Sequence, residues 1–145
     1  MYCAVYTSTF LRPLPPGDVI KIFTKYQRLN RVLQINGCMV HHKKDMLHFV
    51  EGDKESINEF YLKQGLSDYI RHAEPIFQEE KKELIFEYPY VISDSLWQLP
   101  ESSTIPILNQ VYLSIIREQL GNRNLALNFF WKCLDEMMHP SNCKL

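Results

Sequence analysis

Short blocks of alternating or continuous apolar residues fill the first 92 positions, and apolar residues at helical spacing fill the chain from about position 105 onward. Residues 1–8 (MYCAVYTS) are β-branched and aromatic and of strand length; Arg12-Pro13 and Pro15-Pro16-Gly17 then break the chain. Asp18 is predicted to cap a helix that runs to Leu29 or Asn30, with Val19, Ile22, Phe23 and Tyr26 on one face. Residues 34–42 (QINGCMVHH) and 45–51 (DMLHFVE) predict two strands, and the Lys43-Lys44 spacing between them suits a tight antiparallel hairpin. Glu51-Gly52-Asp53 turns into a second helix, about 54–65, whose apolar face is Ile57, Phe60, Tyr61 and Gln64 or Leu66. Two more strands are expected at 71–79 and 84–92, the latter at an edge or bulge because Pro89 cannot donate to a central ladder.

This order, β-α-β-β-α-β-β, is the α+β, ferredoxin-like plan with one added strand and two helices on one face. The other face needs cover. Residues 93–104 read as a linker rich in serine, followed by helices at about 105–120 (Leu108, Val111, Tyr112, Ile115, Ile116), closed by Gly121, and at about 124–138 (Leu127, Phe130, Trp131, Leu134, Met137, Met138). That pair can cover the bare face or carry a partner surface. The expected division is a core at 1–95 and a linker with a two-helix extension at 96–145.

Composition narrows the class. At 145 residues the chain has the size of one globular domain. Sixteen Lys and Arg stand against seventeen Asp and Glu, which leaves no electrostatic footprint for nucleic acid. No apolar run approaches the roughly 20 residues that span a bilayer, and residues 1–6 lack the basic and long apolar regions of a signal peptide. Cysteines at 3, 38, 133 and 143 form no C-x-x-C pair and read as reduced thiols, so a cytoplasmic protein is expected.

Motifs for general enzyme chemistry are missing: the chain contains no G-x-G-x-x-G, P-loop, G-x-S-x-G or H-E-x-x-H. His41, His42 and His48 have no carboxylate or thiolate at ligand spacing, which makes a weak metal case. An acyl-phosphatase-like enzyme on this plan would want an arginine-lined anion cradle near the first strand, for which Arg12 is a thin candidate. Asn30 has a ready structural role as a helix C-cap, and His48 as a satisfied core histidine. Phe129 widens the apolar stripe of the last helix beyond one packing face, which suits self-association or a protein partner there.

Several strings, in their order and separations, resemble the BLUF family of blue-light sensors that hold FAD between two helices of a ferredoxin-like fold. They are Tyr6-Thr7-Ser8, Arg12-Pro13-Leu14 followed by Asp18, Gln27-Arg28-Leu29-Asn30, Ile35-Asn36-Gly37, Val50-Glu51-Gly52, and Asp68 followed by Arg71-His72. The resemblance covers about residues 1–92, and the tail looks like that of short stand-alone members. It implies a flavin-binding signalling module that acts through protein contacts and is not an enzyme. In the family a first-strand tyrosine donates an electron and then a proton to the excited flavin, an asparagine bonds the flavin edge, and a third-strand glutamine bridges the tyrosine to the flavin.

Carried over residue by residue, Tyr6 matches the tyrosine, Asn30 the asparagine and Ile22 the apolar wall of the first helix. The bridging glutamine is His48, and Lys63 stands in place of an arginine on the second helix, a point charge for a planar fork. Leu29 replaces a second asparagine, Tyr26 a small serine, and Gln64 an apolar residue. The implied flavin-binding set is therefore Tyr6, Ile22, Asn30, His48 and Lys63. A primary amide can swap donor and acceptor by rotating; an imidazole cannot, so the usual photocycle is expected to change. The departures also motivate an alternative: a non-photoactive, even flavin-free, interaction protein on the same scaffold.

Overall fold

The computed structural model describes residues 1–64, 70, 74–80, 83–93, 107–108, 110–121 and 123–139. Strand β1 (Tyr2–Thr9) leads to helix α1 (Pro16–Val32), the hairpin β2 (Asn36–His42) and β3 (Asp45–Gly52), and helix α2 (Lys54–Asn58), which runs on as a π-helical segment, Glu59–Gln64. Strands β4 (Glu74–Glu80), β5 (Pro89–Ser93) and the two-residue β6 (Ile107–Leu108) follow, then helices α3 (Gln110–Leu120) and α4 (Leu125–Met138). The sheet order is β4-β1-β3-β2-β5-β6. Its first four strands pair antiparallel in the ferredoxin-like order, and β5 and β6 extend it parallel to β2.

Alternation along the two central strands builds two cores. Tyr2, Ala4 and Tyr6 of β1 join Val19, Phe23 and Tyr26 of α1 and Ile57, Phe60 and Tyr61 of the second helical region. Cys3 and Val5, with Leu47 and Phe49 of β3, face the opposite way into Leu113 and Ile116 of α3 and Leu127, Phe130, Trp131 and Leu134 of α4. The C-terminal helices thus cover the face that the first two helices leave bare.

Gly37 shows why the hairpin's entry needs glycine. It adopts φ +145°, and an added Cβ would sit 1.8 Å from the carbonyl oxygen of Phe49 on the paired strand.

Several local predictions differ from the structure. Helix α1 opens on Pro15 and Pro16 with no side-chain cap, so Asp18 lies in its first turn and favours the helix through the dipole alone. It also runs past Asn30, and the left-handed residue beyond it is Gln34 at φ 58°, which overturns the C-cap reading of Asn30. The strand expected at 84–92 starts only at Pro89: the buried Glu51 carboxylate takes the backbone N–H groups of Ile85 (2.9 Å) and Phe86, holding that stretch off the ladder. Pro89 is the first residue of β5, and β6 reaches only Val91 and Ile92, so the missing donor is never called for. Leu108, expected on a helix, pairs in β6, and α3 starts at Gln110. Arg71, His72 and most of the 93–104 linker lie outside the described residues.

Candidate functional site

The face of the sheet under α1 and α2 carries a cluster built by strand pairing. Tyr6 of β1 stands directly opposite His48 of β3, so both side chains point to the same face. On the other side of β1 the register slips between Val5 and Tyr6, where Ile76 of β4 is left over as a bulge beside Tyr6. Bulges of this kind re-aim a side chain next to a site. From above, α1 lowers Asn30 and Tyr26, and the π-helical segment lowers Phe60 and Tyr61.

Tyr61 is the centre of this cluster. Its ring lies nearly parallel to that of Tyr6, with centroids 5.0 Å apart and an interplanar angle of 18°. It meets the edge of His48 at 5.4 Å, and its hydroxyl accepts a hydrogen bond from Asn30 Nδ2 at 3.2 Å. Phe60 packs edge-on against both Tyr61 and Tyr26. Around that ring three buried polar atoms have no hydrogen-bond partner among the described residues: Tyr6 Oη, Asn30 Oδ1 and His48 Nδ1. Buried polar atoms are nearly always satisfied, so three orphans around one ring are a functional signal.

Electrostatics follow from burial. Burial pushes the Tyr6 phenol up to about 12, helped by the neighbouring Tyr2 phenol, so Tyr6 keeps its proton. Burial pulls His48 down to about 3, so the imidazole is neutral. Its Nε2 lies 2.8 Å from Ser8 Oγ. A hydroxyl can donate or accept, so Ser8 serves either tautomer and leaves Nδ1 free to be acceptor or donor towards the site.

The sequence-predicted residues are placed as follows. Tyr6, Asn30 and His48 meet around Tyr61. Ile22 is half-buried at the margin of the same core and does not line the cavity there. Lys63 lies in the π-helical segment, and its side chain is outside the described residues. Tyr26 packs on Phe60 beside the site, while the ring that fills it is Tyr61. Sequence reading placed Tyr61 only on an apolar helix face; Ser8 was visible as the end of Tyr6-Thr7-Ser8 without its partner. Among the described residues no group of His, Cys, Asp and Glu could hold a metal ion, and no helix is long and apolar enough to cross a membrane.

The fit to a flavin divides between chemistry and space. The orphaned hydroxyl, amide oxygen and ring nitrogen suit a flat ring whose edge carries donors and acceptors. The open volume between Tyr26, Asn30, Met39, His48 and Tyr61 is about 20 Å³, enough for about one water. Tyr61 forms one wall of that volume, stacked on Tyr6.

A ferredoxin-like sheet with an aromatic, polar-edged cluster beneath two helices makes this a small α+β domain. The sequence model of "Sensors of blue-light using FAD" matches residues 1–86, more than half of the chain. The chain belongs to the BLUF family, sensory modules whose light-absorbing cofactor is FAD. None of the curated proteins matches the sequence.

Solved structures agree on the fold. "BlsA ground state" superposes with a TM-score of 0.58 at 16% identity over 85% of this chain and 89% of that one. "BlrB - a BLUF protein, dark state structure" gives 0.58 at 14% identity over 83% and 85%. A Klebsiella pneumoniae BlrP1 calcium/cy-diGMP complex gives 0.66 at 14% identity, covering 96% of this chain. This chain spans about a third of BlrP1 and of a bacterial light-regulated adenylyl cyclase.

Proposed function

We propose that this chain is an FAD-binding sensory module that signals through protein contacts, and that the imidazole of His48 changes its light response from the amide-based one. The observation that carries the reading is the set of orphaned polar atoms on Tyr6, Asn30 and His48 around a single ring position. Bound there, FAD would supply blue-light absorption and redox chemistry. Asn30 would hold the ring edge through Oδ1 and Nδ2. Tyr6, protonated and buried, would supply a phenol O–H on one side. His48 would present Nδ1 as acceptor or donor, according to which way the Ser8 hydroxyl points. Lys63 and Ile22 remain candidates for the cofactor's periphery.

Transmission would run through β3. His48 faces the slot, while its neighbours Leu47 and Phe49 face α4, where Phe49 meets Phe130 at 5.9 Å. Ile115 on α3 and Leu125 on α4 remain exposed and offer apolar contacts for a partner or a second copy. A cytoplasmic setting is consistent with buried Cys3 and Cys38 as thiols.

A second reading is favoured by one observation, the Tyr61 ring in the slot: the chain serves as a flavin-free interaction protein. FAD titration of the purified full chain separates the two. The first reading predicts protein that binds FAD with flavin absorbance bands. A colourless protein that excess FAD cannot reconstitute establishes the second.

A further inference from the structure

Resting on the reading of this slot as the FAD site, we propose that Tyr61 is its intramolecular occupant: a ring that stacks on Tyr6 and engages Asn30 until FAD displaces it, so that Tyr61 sets how tightly the cofactor binds.

Three independent features point to this role. First, the stacking is ligand-like. The Phe10–Phe23, Tyr26–Phe60, Phe60–Tyr61 and His48–Tyr61 contacts of this core are tilted or edge-on, whereas Tyr61 lies within 18° of parallel to Tyr6. Second, the mimicry is incomplete. The Tyr61 hydroxyl satisfies Asn30 Nδ2 and leaves Asn30 Oδ1, Tyr6 Oη and His48 Nδ1 unpaired in a buried setting. A core residue selected only for packing would not surround itself with three unmet hydrogen bonds, whereas a ring with a polar edge can meet them. Third, Tyr61 rides on a π-helical segment, Glu59–Gln64, that begins directly after a five-residue α-helix. This i→i+5 winding is rare and concentrates at functional sites. Rewinding it to i→i+4 would rotate Tyr61 relative to the sheet without moving Ile57, which anchors α2 in the core.

The consequence is quantitative. If the slot is open in only a fraction of molecules, the apparent dissociation constant for FAD rises by the inverse of that fraction. Removing the ring removes that factor. Affinity should be measured on the full chain, freed of flavin, by titration with FAD followed by flavin fluorescence, with near-ultraviolet circular dichroism reporting the tyrosine environment. Tyr61→Leu, which keeps an apolar anchor, and Tyr61→Ala should each bind FAD at least about tenfold more tightly than the wild type. Tyr61→Phe, which releases Asn30 but keeps the ring, should gain less. In the wild type, FAD should change the tyrosine dichroism as the Tyr6–Tyr61 stack opens, and in Tyr61→Leu that change should be absent. Far-ultraviolet dichroism and a melting curve establish that each variant is folded. Equal or weaker binding by a folded Tyr61→Leu protein overturns the proposal and leaves the FAD-site reading standing. Binding by neither wild type nor any variant overturns both.

Discussion

His48 is fully enclosed, and that gives it a measurable signature. Its pKa is lowered to about 3 in the folded protein from an ordinary 6.5 because burial disfavours the cation. Between those values the unfolded chain binds a proton that the native protein does not, so stability falls as pH falls through that window. The expected slope from this residue is about 1.4 kcal/mol per pH unit, levelling off near pH 3. Denaturant melts at pH 6 and pH 4 should show it, and in His48→Gln this component should vanish. Glu51 makes a second residue-scale case. Glu51→Ala leaves the N–H groups of Ile85 and Phe86 without their carboxylate and should cost about 1–3 kcal/mol for each amide left buried and unsatisfied, read from chemical denaturation. Gly37 entered the sequence reading only as part of Ile35-Asn36-Gly37; the structure supplies its reason, the close backbone of Phe49. Tyr61 was not legible as an occupant, because helical spacing places a residue on a buried face and says nothing about whether its ring meets core or slot.

At the scale of elements, periodicity located β1, the β2–β3 hairpin, α1 and α4 closely, since each turns one continuous apolar face to a neighbour. It failed where one side chain overrides the local pattern. The Glu51 carboxylate holds residues 85 and 86 off the ladder, and the second helix, expected as plain α, changes winding at Glu59. Helix α4 was legible from its apolar spacing, and the structure adds its N-cap: Asn124 accepts from Leu127 N at 2.7 Å. It is also tied to the sheet: Glu79 of β4 accepts from Ala126 N at 2.9 Å in the helix's first turn. Asn124→Ala should cost about 0.5–2 kcal/mol. Glu79→Ala should weaken the same end of the helix, and amide hydrogen exchange in the first turn of α4 should quicken in both variants. The exposed Arg117–Asp135 pair between α3 and α4, 2.6 Å at its closest, should contribute far less, about 0–1 kcal/mol.

For the molecule as a whole, β1 and β3 divide their alternate residues between two cores, so a change at Tyr6 or His48 sits one residue away from the packing of α4. Phe130, fully buried against Phe49 and Trp131, links β3 to α4 on the far side. Phe130→Ala should destabilise the fold by about 3–5 kcal/mol in equilibrium unfolding. The plan of helices on both faces was visible in the sequence as a sheet with a bare face and two amphipathic helices to spare. The sixth strand was not, because two residues carry no period. The proposed binding of FAD around Tyr6, Asn30 and His48 in this BLUF-family chain, with an imidazole that alters the response to light, is tested by the light-minus-dark absorbance spectrum of the FAD-loaded full chain beside that of His48→Gln. Both proteins should hold flavin, and the small, reversible red shift expected of an amide at this position should be absent in the wild type and present in His48→Gln. Equal shifts in the two proteins, or flavin bound by neither, would contradict it.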